Sequence, residues 1–239
     1  MSSSIDILLE HDDFLIVDKP CNVAMHRGDE STVSILNLLA SFGFKEKLFL
    51  VHRLDTPTSG CLLIAKHKES AGILSDLFAK RKIEKYYLAI SDKRPKKKQG
   101  SIMGDMQKAR GGSYKLSKSC NQPAITHFVS SAILNKGKRL YLCKPITGKT
   151  HQIRVALKAL SAPIMGDDRY GGSPSDRLYL HSFGMRFLYQ SKQITLFHPP
   201  CEGIHFDSLE LPQSWLEPHH LMWPTAKLTN VSYISKDAE

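Results

Sequence analysis

The stretch that most limits what this chain can fold into is Val51–Lys66, VHRLDTPTSGCLLIAK. Its Leu62, Leu63 and Ile64 are too apolar for a surface loop and too short a run for most helices, so a buried strand is expected there. The tight Thr-Pro-Thr-Ser-Gly turn before it places Asp55 on the loop that feeds the strand. Loops held by a rigid sheet are where reactive groups tend to be mounted. An aspartate in such a place also suits capping its own turn through the backbone, and spacing alone leaves both roles open.

The rest of the pattern alternates between strand and helix rhythms. Ile5, Ile7 and Leu9, then a turn at His11-Asp12-Asp13 and the run Phe14–Val17, read as a β-hairpin ending at Lys19-Pro20. Ile35, Leu38, Leu39 and Phe42 give one face of a helix over Ser31–Phe42, stopped by Gly43. Glu69–Ile83 repeats that rhythm and ends in the cationic Lys80-Arg81-Lys82, as a helix C-terminus favours. Lys85–Ile90 is expected as a strand, Ala124–Ile133 and Arg139–Ile146 as a hairpin around an Asn/Gly turn, and Thr150–Leu160 as a helix. Short strands are expected at Leu178–Ser182, Met185–Leu188 and Ile194–Phe197. Strands outnumber helices and many are linked as hairpins, which predicts an α+β fold with a mixed, mainly antiparallel sheet. Residues 1–223 are expected to form one domain, followed by a polar, frayed tail over 224–239.

The charge balance narrows the class of partner. Among 239 residues, Lys and Arg number 33 against 23 Asp and Glu, a net charge of +10. Such a surface suits a polyanion, because phosphate neutralisation supplies most sequence-independent affinity for nucleic acid. The basic run Lys93-Arg94-Pro95-Lys96-Lys97-Lys98 is a solvated turn in which Lys96, Lys97 and Lys98 are candidates for phosphate contact. The five cysteines are scattered without any C-x-x-C pair, which points to reduced thiols in a cytoplasmic setting and away from a structural zinc. The N-terminus lacks a signal-peptide pattern, and no apolar run approaches the roughly 18 residues of a membrane span.

Thr147–Arg154, TGKTHQIR, has the look of a nucleotide-binding loop and fails as one: the Walker pattern needs Gly at position 143, where Cys143 stands. It opens a helix, where free N–H groups and the dipole favour an anion. His151 and Arg154, three apart, are expected on the same face of its first turn. A guanidinium near Asp55 has a clear use, since a shielded carboxylate drifts toward its neutral form unless a cation holds it ionised. In Lys85-Tyr86-Tyr87-Leu88-Ala89, strand alternation puts only one of the two tyrosines on any given face.

These stretches together resemble the RluA-like family of RNA pseudouridine synthases. HRLDTPTSG fits that family's H-R-L-D-x-x-T-S-G signature at His52, Arg53, Leu54, Asp55, Thr58, Ser59 and Gly60. GKTHQIR fits its G-[KR]-[ST]-H-Q-[IL]-R motif, and Lys85–Ala89 its K-x-Y-x-A segment. Val17–Pro20, Gly166–Gly171 and Leu180-His181 are lesser matches, so the similarity runs from about Phe14 to Pro200. Ser101–Gln122 and Gly203–Pro224 do not align with it. The resemblance implies a stand-alone catalytic domain without the S4-type module that many relatives carry. It implies Asp55 as the catalytic residue, Arg154 as its cationic partner and Tyr87 as the aromatic group beside the target base. Arg53 is expected to fill the space the base vacates, and His52 and His151 to join it on the RNA-binding side. The substrate class implied is tRNA or rRNA, with no cofactor, no metal and no obligate protein partner, the protein acting as a monomer. Whether the carboxylate attacks C1′, adds to C6 or assists elimination to a glycal stays open. A serine hydrolase built on His52, Asp55 and Ser59 is a poor rival, because G-x-S-x-G needs Gly where Pro57 stands. A catalytically dead RNA-binding module is the other, and it has no use for acid, arginine and tyrosine together.

Overall fold

The computed structural model describes residues 5–26, 33–44, 47–133, 137–207 and 209–224. Twelve strands and three α-helices follow one another along them. The strands are β1 Asp6–Glu10, β2 Phe14–Lys19, β3 Phe49–Leu50, β4 Ser59–Ala65, β5 Glu84–Ser91, β6 Gln99–Gly104, β7 Met106–Lys108, β8 Tyr114–Leu116, β9 Ala124–Ile133, β10 Lys138–Pro145, β11 Leu180–Tyr189 and β12 Lys192–Phe197. The helices are α1 Ile35–Ser41, α2 Lys68–Ala79 and α3 Gln152–Ala159. One sheet runs β1-β2-β4-β11-β5-β10-β9-β6, with β12 paired to β11 and β3 to β4, while β7 and β8 form a separate hairpin. Among the strands of the described residues, only β4 and β11 pair in parallel. The mixed, mainly antiparallel α+β fold expected from the sequence is the one found.

All seven residues of β4 are buried, and that explains its unbroken apolar run: both faces of a central strand are covered, so alternation with polar residues is lost. Leu62 and Ile64 meet Leu15, Val17 and the α1 residues Ile35 and Leu39 on one face. Cys61 and Leu63 meet Phe14, Ile16, Phe187 and the α2 residue Leu74 on the other. A third core, with Ile153 and Leu157 of α3, lies against β5 and β10.

Several boundaries differ from the sequence expectation. Helix α1 starts at Ile35, because the Ser34 hydroxyl caps it by accepting from the Asn37 amide. Helix α2 ends at Ala79 rather than reaching Ile83. Lys82 N–H bonds Leu77 O and Arg81 N–H bonds Phe78 O, with Arg81 at φ +57°, which is a Schellman closure with arginine in the left-handed place usually given to glycine. The cationic triplet therefore follows the helix instead of forming its last turn. The strands expected at Leu178–Ser182 and Met185–Leu188 are one strand, β11, whose register against β5 shifts between Ser182 and Gly184. In the unaligned stretch Ser101–Gln122 the chain builds the end of β6 and the β7–β8 hairpin. The turn expected around Asn135 and most of the expected polar tail lie outside the described residues. Among the described residues, no helix is long and apolar enough to cross a membrane.

Candidate active site

Asp55 lies on the loop entering β4, and two sets of hydrogen bonds and one buried side chain fix that loop. Thr58 N–H closes a turn on Asp55 O at 2.9 Å. Leu54 is buried in the core beside Leu62. From below, the fully buried Lys19 ammonium donates to the carbonyls of Thr56 (3.0 Å), Pro20 (2.9 Å) and Val23 (2.8 Å). Burial lowers its pKa to about 8, so what the lysine supplies is a three-way tie between backbone segments. Gly60 answers a different demand: at φ +105°, a Cβ there would stand 2.4 Å from Ser182 O, so the parallel β4–β11 contact needs glycine.

The sequence-predicted residues Asp55, Tyr87 and Arg154 line one cavity of about 460 Å³, together with Arg53, His52 and His151. Arg154 Nη1 donates to Asp55 Oδ2 at 3.2 Å. Its other donors are committed to Asp167, Nε to Oδ2 and Nη2 to Oδ1, both at 2.8 Å. This bidentate grip on an Asp167 side chain that is fully buried aims the remaining N–H at Asp55. Burial works against the Arg154 charge, but the Asp167 bonds and the Asp55 carboxylate outweigh it and the pKa is raised. Beneath the guanidinium lies the Tyr170 ring, 5.0 Å to its centroid. The Tyr170 hydroxyl accepts from the Tyr114 amide and bonds His151 Nδ1 at 2.8 Å. His151 stands at the N-cap of α3 in the left-handed conformation, φ 57°, with Nε2 3.9 Å from Asp55 Oδ2. Burial lowers its pKa.

Tyr87 and Tyr86 divide as strand alternation predicts. Tyr87 faces the cavity. Tyr86 turns to the other side, with its hydroxyl on Glu84 Oε2 at 2.8 Å and its ring against Phe197 and Trp223. Burial pushes the Tyr87 phenol well above its usual range, the nearby Asp55 adds to this, and the Ser182 hydroxyl opposes it only in part. Tyr87 is thus a neutral phenol at any physiological pH.

The other residues expected on the RNA side are placed differently from one another. His52 lines the cavity, but its Nε2 accepts the Leu63 amide at 2.9 Å and its ring stacks on Phe78 at 4.4 Å. Burial, helped by Lys85, lowers its pKa to about 3, so it pins the loop to β4 as a neutral ring and has no charge for phosphate. Lys96, Lys97 and Lys98 are exposed and lie outside the cavity. The Lys96 amide bonds Leu160 O, at the far end of α3 from His151. The cavity wall takes its positive charge from Arg53, which the sequence singles out, and from Arg81, Lys85 and Lys149, for which it suggests no part in the site. Asp167 was visible only as a letter in G-D-x-x-Y-G; nothing in the spacing ties it to Arg154. Arg53 also borders a second groove of about 920 Å³ beyond Asp55, walled by Arg110 of the segment between β7 and β8 and by Arg169. Ligand atoms of Asp18, His198 and Cys201 lie within 4.8 Å of one another, outside the Asp55 cavity. Asp18 Oδ2 and His198 Nε2 already pair there at 3.1 Å.

Residues 13–159 match the family model described as RNA pseudouridylate synthase. An "Uncharacterized RNA pseudouridine synthase" of Haemophilus influenzae is 42% identical over 90% of this chain and 92% of its own length. "Ribosomal large subunit pseudouridine synthase C" of Rickettsia typhi is 36% identical over 74% of this chain, and the match spans 61% of that protein. Among solved structures, "Human RNA Pseudouridylate Synthase Domain Containing 1" superposes with a TM-score of 0.76 at 24% identity, over 92% of this chain and 95% of that one, a likeness of fold. With one model covering most of the chain and a relative matched along nearly its whole length, the chain belongs to the RluA-like RNA pseudouridine synthases, a family of isomerases.

Proposed function

We propose that this chain converts a specific uridine of structured RNA to pseudouridine, with Asp55 as the catalytic carboxylate. The observation that carries this is the Arg154 Nη1–Asp55 Oδ2 contact of 3.2 Å inside a cavity that Tyr87 also lines. The reaction breaks the C1′–N1 bond, turns the uracil, joins C1′ to C5, releases the C5 proton and protonates N1, so no net oxidation or hydrolysis occurs. A stacked base is out of reach, so the uridine is flipped into the cavity. The cavity volume of about 460 Å³ suits one nucleoside. Arg53, exposed at the junction of the two cavities, enters the vacated place in the RNA stack. Asp55 has one oxygen on Arg154, and the other is the one assigned to the sugar or base. Attack at C1′, addition at C6 and assisted elimination all use that oxygen. Tyr87 flanks the base as a neutral phenol, so it can take up a proton at its oxygen only as it hands its own hydroxyl proton to another acceptor.

The substrate is tRNA or rRNA. The Rickettsia relative, named for the large ribosomal subunit, makes rRNA the first to test. The test is tritium release from [5-³H]uridine-labelled RNA of cells lacking the enzyme. Wild type is expected to release tritium at one site, and Asp55→Asn to bind the same RNA while releasing none. Release by Asp55→Asn at the wild-type rate would remove Asp55 from the chemistry.

A further inference from the structure

His151 lines the cavity with Nε2 3.9 Å from Asp55 Oδ2, and its other ring nitrogen, Nδ1, is 2.8 Å from the Tyr170 hydroxyl. Which nitrogen carries the proton decides what the ring shows to the carboxylate. A phenol has one proton to give and can accept as well. The Tyr170 oxygen already accepts from the Tyr114 amide at 3.0 Å. Tyr170 is 2% exposed, and among the described residues His151 Nδ1 is the acceptor bonded to its hydroxyl. The phenol therefore donates to Nδ1, which leaves the proton of the neutral ring on Nε2. The reverse tautomer would set two protons against each other at Nδ1 and turn a lone pair toward the Asp55 carboxylate. A charged ring would meet the same conflict at Tyr170. Burial opposes that charge first, Arg154 and Arg169 add to it, and Asp55 and Asp167 offset it only in part, so the His151 pKa lies below its usual range. The Tyr114 and Tyr170 rings stand edge-on to the imidazole at 5.8 and 5.7 Å and hold its orientation.

We propose that Tyr170 is a positioning residue whose hydroxyl fixes His151 as the Nε2–H tautomer, so that this N–H faces Asp55 Oδ2 beside Arg154 Nη1. This rests on the pseudouridine-forming function proposed above. At 3.9 Å the N–H acts on the carboxylate as a nearby dipole rather than as a hydrogen bond, and a partly buried site strengthens that action. It draws the negative charge to Oδ2, already held by Arg154, and leaves Oδ1 for the sugar or base. The β7–β8 hairpin takes part. Tyr114 of β8 supplies the amide that orients the phenol, and Gly111 O accepts from Arg169 Nη1, next to Tyr170. The stretch Ser101–Gln122, which lies outside the family motifs, thus reaches the imidazole beside Asp55 through two hydrogen bonds in series.

The experiment has a spectroscopic arm and a kinetic one. Two-bond ¹H–¹⁵N correlation on the full chain labelled at histidine nitrogens reads the tautomer, with the His151 signals assigned by their loss in His151→Leu. Wild type is expected to show Nε2 protonated and Nδ1 bare at neutral pH, and Tyr170→Phe to lose that single pattern. Tritium release from [5-³H]uridine-labelled RNA of cells lacking the enzyme is then followed under single-turnover conditions at saturating enzyme. Tyr170→Phe and His151→Leu are each expected to slow it roughly fivefold, and the double variant no further, because both remove the same N–H. His151→Gln, which keeps an N–H donor, should recover part of the rate. A wild-type ring protonated at Nδ1 overturns the proposal, as does wild-type turnover in Tyr170→Phe or in His151→Leu. So does a Tyr170→Phe defect that persists in full when His151 is already leucine, because the phenol would then serve the fold or Arg154. Absence of tritium release by wild type would instead mark failure of the proposed function, and the tautomer would still decide the geometry.

Discussion

The two ends of helix α3 both carry positive charge and use it in opposite ways. At the N-terminal end Arg154 is 6% exposed, and every arm of its guanidinium bonds a carboxylate. At the C-terminal end Lys96, Lys97 and Lys98 stand in solvent beside Leu160, and the Lys96 contact there is made by its backbone amide. A buried, bidentate cation has one direction; an exposed lysine has many. Charge density along the sequence is therefore a poor guide to where chemistry is done. The lysine run is the more conspicuous feature in the sequence, and the lone arginine is the one attached to the cavity.

The comparison breaks most visibly at Asp167. Asp167→Asn leaves Arg154 buried with half its partner charge gone, and losing one member of such a pair costs about 3–5 kcal/mol. The freed guanidinium can swing, so turnover is expected to fall roughly 100-fold as the Asp55 carboxylate loses its fixed neighbour. Thermal melting and single-turnover tritium release check the two effects. Arg154→Lys is expected to lower turnover as well, because an ammonium cannot span Asp167 and Asp55 in one plane. A fully active Asp167→Asn would mean that the buried pair serves the fold alone.

A pH scan of stability sharpens the contrast. His52 is half-buried beside the cavity and His181 is buried behind Ser59, and desolvation lowers their pKa values to about 3 and about 4. An unfolded histidine titrates near ~6.5. Between that value and the folded ones the unfolded chain binds more protons, so stability rises with pH there and is lost as pH falls. The melting temperature is expected to drop steadily from neutral pH toward pH ~4. His181→Asn should flatten that slope while lowering the melting temperature at neutral pH. An unchanged slope would place these protons elsewhere.

These residues also mark how far the sequence could be read. The strand at Leu62–Ile64 and the split between Tyr86 and Tyr87 follow from local period, and the structure has both, whereas His151 and Arg154 share the cavity with His151 outside the helix, in its left-handed N-cap. The left-handed Arg81 that ends α2 early, the Lys19 tie beneath Thr56 and the Arg154–Asp167 grip were not legible. The last two join residues whose meeting depends on how the sheet is ordered, which hydrophobic period does not encode, while the Arg81 closure is local but lacks the glycine that marks such an end. His52 is a related case. A histidine in a motif is a cation or an acceptor according to its burial, and its bond to the Leu63 amide exists only once β4 is in place.

The smallest effect is expected at the lysine run. Replacing Lys96, Lys97 and Lys98 with alanine removes the phosphate contacts of a loop tied to the C-terminal end of α3, outside the Asp55 cavity. Each such contact contributes roughly 0.7–0.9 to the slope of log K against log salt. The triple variant should therefore bind RNA more weakly at low salt, converge on wild type as salt rises, and keep the wild-type single-turnover rate at saturating enzyme. A loss of rate at saturation would mean that the far end of α3 communicates with the cavity, and the division of labour along the helix would then be wrong. A slope identical to wild type would remove the loop from the RNA footprint and leave Arg53, Arg81, Lys85 and Lys149 on the cavity wall to supply the attraction.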